Sequence, residues 1–135
     1  MPATVGLAVL ETIRKEHLIE RARTTGAYLR GRLQDLQTRY EAIGDVRGEG
    51  MLLGVELVKD RESRQPFHEL GAMTTKKCFE LGLSMNIRRR SERGSVWRIA
   101  PPLTATHAEI DRGVDILDRA LRESQDDLVT QKAYR

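Results

Sequence analysis

VWRIAPPLT, residues Val96–Thr104, is the stretch of sequence that decides the fold. Its first half alternates between two kinds of side chain. Trp97 and Ile99 fall on one side of an extended backbone, and Arg98 falls on the other side, together with Val96 and Ala100. This period of two predicts a β-strand with two dissimilar faces. Two prolines follow and end the strand, because proline lacks the amide proton that a sheet ladder needs.

Arg98 is the candidate functional residue of this strand, and the residues alone leave its role open. A guanidinium in an otherwise apolar strand is costly unless an anion meets it. It could pair with a carboxylate of the same chain or lie at a strand edge that faces water, as isolated arginines usually do. The other possibility is an anionic ligand.

The composition limits the classes of protein to which the chain can belong. At 135 residues, 39% hydrophobic and 32% charged, the chain suits one globular domain with a modest core rather than a disordered segment. The net charge of +3 is too small to argue for nucleic acid or a membrane. No apolar run is long enough to span a bilayer, and no signal peptide opens the chain. The single cysteine, Cys78, cannot form an internal disulfide, which favours a cytoplasmic location.

Helical spacing dominates the first 42 residues. Ala3–Lys15 carries apolar side chains four residues apart, and Leu18–Tyr40 repeats them by threes and fours along one stripe. The second segment is predicted to be an amphipathic helix of about six turns that packs on a sheet. Its other face is rich in arginine, which is more typical of a solvated helix surface than of a nucleic-acid stripe. His17, at the joint, is interpreted as a surface or capping residue.

The glycine-rich stretch Val46–Val58 invites comparison with a phosphate-binding loop. Such a loop follows a strand and opens a helix, whereas Gly48 and Gly50 precede strand-like residues, Met51–Val58. We therefore predict a strand relaxed by glycine, with a bulge or a close backbone neighbour.

The second half of the chain is predicted to add a helix, two strands and a final helix. The first of these helices covers Glu69–Leu81 and ends at a glycine. Leu83–Ile87 is predicted to pair with the strand at Val96–Ala100. The last helix opens at Thr106 with a capping box, and the polar tail 125–135 is expected to fray. Cys78 has no histidine or helix start near it in sequence, so it is interpreted as a packing residue.

Four arginines, Arg88, Arg89, Arg90 and Arg93, fall in the connection between the two predicted strands. Without interleaved aromatic residues they are weak support for nucleic-acid binding. A solvated loop tip or a contact to a phosphate or a protein partner explains them better.

Three segments, Val46–Glu56, Leu81–Ile87 and Val96–Thr104, resemble the small C-terminal domain of class III aminotransferases, and within them the dialkylglycine decarboxylases. The likeness extends from about residue 3 to residue 123. It implies an α+β fold: an antiparallel sheet of three or four strands with helices mainly on one face, preceded by a long amphipathic helix. Residues 1–42 would lead into a small domain at 43–124, with a polar tail at 125–135.

The resemblance also implies a role for Arg98 and a limit on this chain. In that family the arginine at this position grips the substrate carboxylate. The cofactor, pyridoxal phosphate (PLP), forms a Schiff base with a lysine of the large domain. None of the lysines here, Lys15, Lys59, Lys76, Lys77 and Lys132, falls in that context. The expectation is thus a substrate-binding portion with no catalytic, cofactor-binding or metal-binding residue of its own, inactive alone.

The implied partners are amino acid and keto acid substrates, the large domain, and further copies in a homo-oligomer, a dimer or tetramer, when the enzyme is complete. A membrane is not expected. Two alternatives stay open: a plain class III aminotransferase domain that acts without decarboxylation, and a non-catalytic basic interaction or RNA-binding module.

Overall fold

The structure is a computed structural model that describes residues 2–90 and 94–133. The described residues form four helices and four strands, in the order helix, helix, strand, strand, helix, strand, strand, helix. The helices are α1 (Pro2–Lys15), α2 (Leu18–Arg39), α3 (His68–Glu80) and α4 (His107–Ala133), and the strands are β1 (Ile43–Glu49), β2 (Leu52–Leu57), β3 (Asn86–Arg90) and β4 (Gly94–Ile99). None of these helices combines the length and the apolar character that a membrane crossing requires.

The four strands form one antiparallel sheet in the order β1-β2-β4-β3. Side chains in β2 alternate between a buried face, with Leu53, Val55 and Leu57, and a face without helices, with Gly54 and Glu56. Helices α2, α3 and α4 contribute to the core on the buried face. The predicted α+β fold, with helices mainly on one face and a long amphipathic helix before the sheet, is confirmed.

The core forms along the apolar stripes of the two long helices. Leu29, Leu33 and Leu36 of α2 are buried against the sheet, as their spacing predicts. In α4, the matching stripe is Ile110, Val114, Leu117 and Leu121. Each such side chain contributes roughly 1.5–3 kcal/mol when fully buried. Helix packing on the sheet therefore follows directly from the sequence pattern.

The glycine-rich stretch forms two strands where one relaxed strand was predicted. The chain turns at Gly50, whose φ is +52°, and β1 pairs with β2 as a hairpin. The predicted close backbone neighbour is present: Gly26 of α2 packs directly on the Gly50 peptide. A register irregularity lies between Ile43 and Asp45. The hairpin was missed because both strands are short and the turn glycines look like interruptions of one strand.

Two further boundaries differ from the sequence prediction. The first strand of the second hairpin begins at Asn86 and runs to Arg90, so Leu83–Met85 precede it. The tail does not fray at residue 125, because α4 continues to Ala133. Leu128 extends the apolar stripe one further turn and is buried, which holds this polar-looking segment on the rest of the fold.

Helix α1 confirms the helix predicted at the start of the chain, but it packs sparsely. Among the described elements it touches α2 alone. Its large apolar side chains Val5, Leu7, Val9 and Leu10 are each more than half exposed. An apolar surface of this kind usually marks a place where another surface binds.

Candidate functional site

Strand β4 has the two dissimilar faces that its sequence predicts. Trp97 is fully buried on the helix side, where its indole Nε1 donates a 3.1 Å hydrogen bond to Thr75 Oγ1. Arg98 lies on the opposite face and is exposed. Because β4 is a central strand, paired with β2 on one side and β3 on the other, the backbone that carries Arg98 is held along both edges.

The two prolines end β4 as predicted, and the chain then turns into α4. The amide of Ala105 donates to the carbonyl of Pro102 at 2.9 Å and closes the turn. The predicted capping box is confirmed. Glu109 accepts hydrogen bonds from the amide and hydroxyl of Thr106, both at 2.8 Å, and its own amide donates to Thr106 Oγ1. The two hydrogen bonds that Glu109 accepts lower the pKa of its carboxyl, and the bond from the Thr106 amide has the larger effect.

A groove of about 700 Å³ opens at the end of β4, where residues of both sheet faces line it, among them Arg98 and Ile99. Its walls come from the segment that enters β3, the end of β4 with its prolines, and the facing sides of α2 and α4. Most of the lining is apolar, with polar groups contributed by the residues Ser84, Asn86, Arg98, Thr104 and Glu109. Since Glu109 is engaged in the capping box, Arg98 is the charged group on this wall that is available to a ligand.

Arg98 stands apart from most other arginines on the described surface. Among the residues that the structure describes, no carboxylate lies within 4.0 Å of its guanidinium, and no hydrogen bond engages it. The first interpretation offered by the sequence, an internal ion pair, is therefore not found in the described part of the chain. An exposed, uncompensated guanidinium beside an apolar groove can bind an anion that carries an apolar group.

The arginine face of α2 is largely neutralised within the fold. Arg32 pairs with Asp111 and with Asp115, the second at 3.3 Å, and Arg39 pairs with Asp118 at 2.9 Å. Tyr40 also donates to Asp118. Burial raises the pKa of Asp118, but the hydrogen bonds from Tyr40 and Arg39 outweigh it, so the net shift is downward. These pairs tie α2 to α4 and do not form a free basic stripe.

The structure describes only part of the arginine-rich connection. Arg88, Arg89 and Arg90 belong to β3, an edge strand, rather than to a loop tip. Arg93 lies outside the described residues, so the prediction of a solvated tip or of a phosphate or partner contact stays a prediction.

Three other residues singled out in the sequence lie away from the groove. His17 begins α2 in the left-handed conformation, makes no side-chain capping bond and is exposed. Cys78 is fully buried, and burial raises the pKa of its thiol to about 12, which agrees with a packing role. Lys77 lies 3.0 Å from Asp127, and the bond between them raises the pKa of the Lys77 amine.

The described lysines can be compared with what a Schiff-base site for PLP requires. None of the lysine side chains that the structure describes lines the groove. Lys15, Lys59 and Lys76 are exposed on other surfaces, and Lys77 is held protonated, whereas a Schiff base requires an unprotonated amine. The side chain of Lys132 is outside the described part of the chain.

Asn86 is a further groove residue, which the sequence alone did not single out. It is directly opposite Arg98 across the β3–β4 pair and lines the same groove. The sequence placed Asn86 in a strand, but only the register shows which β4 residue it faces.

The comparisons with known proteins agree on one family. The family model described as aminotransferase class III matches residues 1–121. Over 118 residues the chain is 42% identical to alanine–glyoxylate aminotransferase 2 homolog 2, mitochondrial, of Arabidopsis thaliana, with 87% of this chain and 24% of that protein covered. Over 129 residues it is 38% identical to a leucine/methionine racemase of Thermococcus litoralis, with 96% of this chain and 28% of that protein covered.

Solved structures extend the same likeness. A PLP-bound amine transaminase from an uncultivated Pseudomonas species superposes with a TM-score of 0.77 at 30% identity, over 87% of this chain and 26% of that one. The chain thus spans about a quarter of the length of the proteins that it matches.

Proposed function

The chain belongs to the class III aminotransferase family, and we propose that it is the part of such an enzyme that binds the substrate carboxylate through Arg98. The observation that carries the proposal is the uncompensated guanidinium of Arg98, exposed beside an apolar groove in the strand that matches the family. Amino acids and keto acids share a carboxylate and differ in the group attached to it. A guanidinium on a strand that is held along both edges, with an apolar groove beside it, suits that chemistry.

The rest of the reaction is assigned to parts of the enzyme outside this chain. Class III aminotransferases use PLP, and the described lysines do not fit its Schiff base. We therefore assign the cofactor and its lysine to the large domain that makes up the remaining length of the relatives. The chain alone would be inactive, and the complete enzyme would be a homo-oligomer. The single buried thiol of Cys78 agrees with a cytoplasmic location.

The finer assignment is decarboxylation-dependent transamination, as in the dialkylglycine decarboxylases. It rests on the resemblance of three segments, Val46–Glu56, Leu81–Ile87 and Val96–Thr104. Incubation of the complete enzyme with 2-aminoisobutyrate and a keto acid tests it directly. Release of carbon dioxide is expected. If none is released while the enzyme still transaminates other amino acids, the plain aminotransferase remains.

The carboxylate role of Arg98 is tested by comparing two kinds of amine donor in the complete enzyme. Arg98→Ala should lower kcat/KM for amino acids while changing little for an amine without a carboxylate. In the complete enzyme the large domain would enclose the bound carboxylate, and loss of one partner of a buried hydrogen-bonded charge pair costs roughly 2–5 kcal/mol, equivalent to roughly 30-fold to several-thousand-fold in kcat/KM. Arg47→Ala is the matched control, because Arg47 lies in the same sheet but is paired with Asp45 and Glu56. Equal losses for both donors would contradict the proposal.

The assignment of the Schiff-base lysine is tested on the chain itself. After incubation with PLP and reduction with borohydride, mass spectrometry should find no stoichiometric label at a single lysine. Sparse labelling of exposed lysines is the expected background. One fully labelled lysine would show that the cofactor site lies within this chain.

A further inference from the structure

The face of the sheet that carries Arg98 holds a row of four residues that crosses all four strands. Arg47 of β1 is opposite Gly54 of β2, Gly54 is opposite Arg98 of β4, and Arg98 is opposite Asn86 of β3. Directly opposite residues of antiparallel strands share a face, with Cβ atoms roughly 4.5–5.5 Å apart. We call these four residues the arginine row.

The two arginines of the row have different electrostatic neighbours. Arg47 donates to Asp45 at 2.7 Å and to Glu56 at 3.0 Å, so its charge is compensated within the sheet. Arg98 has Gly54 on one side and the neutral amide of Asn86 on the other. In the described part of the chain, neither the Arg98 guanidinium nor the Asn86 amide has a hydrogen-bond partner. Within the arginine row, one arginine is therefore held in an ion pair and the other is free of such a pair in the described part of the chain.

The space around Arg98 also permits a ligand to approach. Gly54 contributes no side chain between the two arginines, although one would fit: a Cβ there would meet Val96 Cγ1 at 3.4 Å and the Arg47 carbonyl at 3.8 Å. On the other side, Asn86 and Arg98 line the groove together. A carboxylate that docks on Arg98 from the groove would therefore lie beside Asn86.

We propose that Asn86 is a second substrate-binding residue, whose side-chain N–H donates to the carboxylate held by Arg98. This inference rests on the proposed function, since it presupposes that Arg98 binds the carboxylate. Asn86 supplies a donor without a negative charge, so it adds to the site and does not compete with the substrate for the guanidinium. An aspartate at this position would pair with Arg98, as Asp45 and Glu56 pair with Arg47. The residue at position 86 thereby selects donors that carry a carboxylate.

The test measures carboxylate binding to the full chain by NMR. The Nε–Hε signal of Arg98, assigned by its loss in Arg98→Lys, is followed during titration with propionate, with chloride at equal ionic strength as reference. In Asn86→Ala the propionate affinity should fall roughly 2- to 10-fold, the effect of losing one hydrogen bond at an exposed site where water partly replaces it. In Asn86→Asp it should fall by more than about tenfold, because a fixed carboxylate then competes. Arg47→Ala is the control: Arg47 does not line the groove and is paired with Asp45 and Glu56, so this variant should bind propionate as the unchanged chain does.

The possible outcomes separate the two proposals. If Arg98 responds to propionate and Asn86→Ala binds as tightly as the unchanged chain, the role of Asn86 is refuted and that of Arg98 stands. If the Arg98 signal responds no more to propionate than to chloride, the proposed function fails and the inference fails with it. Preserved dispersion of the backbone amide signals in each variant shows that the fold is retained. Because Asn86 is exposed, neither substitution disturbs the core.

Discussion

Two glycines in helix α2 should respond to the same substitution with opposite sign. Gly31 faces open space, so Gly31→Ala should stabilise the protein by roughly 0.5–1 kcal/mol through helix propensity alone. Gly26 is buried against the β1–β2 turn. A Cβ at position 26 would lie 2.7 Å from Gly50 Cα and closer still to its carbonyl group. Since the obstacle is backbone, the helix or the turn must shift, which costs roughly 3 kcal/mol or more and outweighs the propensity gain.

The two variants should therefore differ in stability by roughly 3 kcal/mol, or about 10 °C in Tm for a domain of this size. Urea unfolding followed by circular dichroism measures the difference in free energy, and a thermal melt checks its sign. If Gly26→Ala is as stable as the unchanged chain, the close approach of α2 to the hairpin turn is wrong. Gly31→Ala is the control, because it adds the same methyl group to the same helix. Its effect on stability measures helix propensity without the contact to Gly50.

Three further predictions concern stability and association. Thr75→Val should destabilise the chain by roughly 1–3 kcal/mol in urea, because it leaves the buried indole N–H of Trp97 without its acceptor; no loss would show that the bond is unimportant. Burial raises the pKa of the Cys78 thiol to about 12, so stability should fall as pH rises above the pKa of the unfolded thiol, about 8.5. Cys78→Ala should flatten that pH dependence. The exposed apolar face of α1 should make the isolated chain self-associate, and Val9→Glu should shift sedimentation toward monomer.

The features that the sequence predicted correctly are those set by neighbouring residues. The two faces of β4 follow from its alternation, and the buried stripe of α2 from its spacing of three and four. The capping box at Thr106 needs only a hydroxyl, a carboxylate and the three-residue interval between them. Each of these signals is complete within a single helix or strand. The structure of these segments therefore depends little on tertiary contacts.

The features that the sequence missed depend on residues far apart in the chain. The turn at Gly50 becomes recognisable only when Gly26 is seen to pack on it, 24 positions earlier in the sequence. Leu128 is a single apolar residue in a polar tail, and its burial requires the packed core that the rest of the chain supplies. Asn86 lies opposite Arg98 only because of the register between β3 and β4. Register is set by the whole hairpin, and a shift of one residue would turn Asn86 to the other face.

The sheet also gives a reason why Arg98, rather than Arg47, is the arginine that we propose for ligand binding. Arg47 lies on β1, an edge strand, where compensation by Asp45 and Glu56 links two strands through their side chains. Arg98 lies on β4, which is bonded along both edges and needs no such link. Because the strand beneath Arg98 is already held along both edges, a bound carboxylate has to order only the side chain and not the backbone, which leaves more of the interaction available as affinity. The central position of β4 thus favours Arg98, over Arg47, as the residue that holds a substrate.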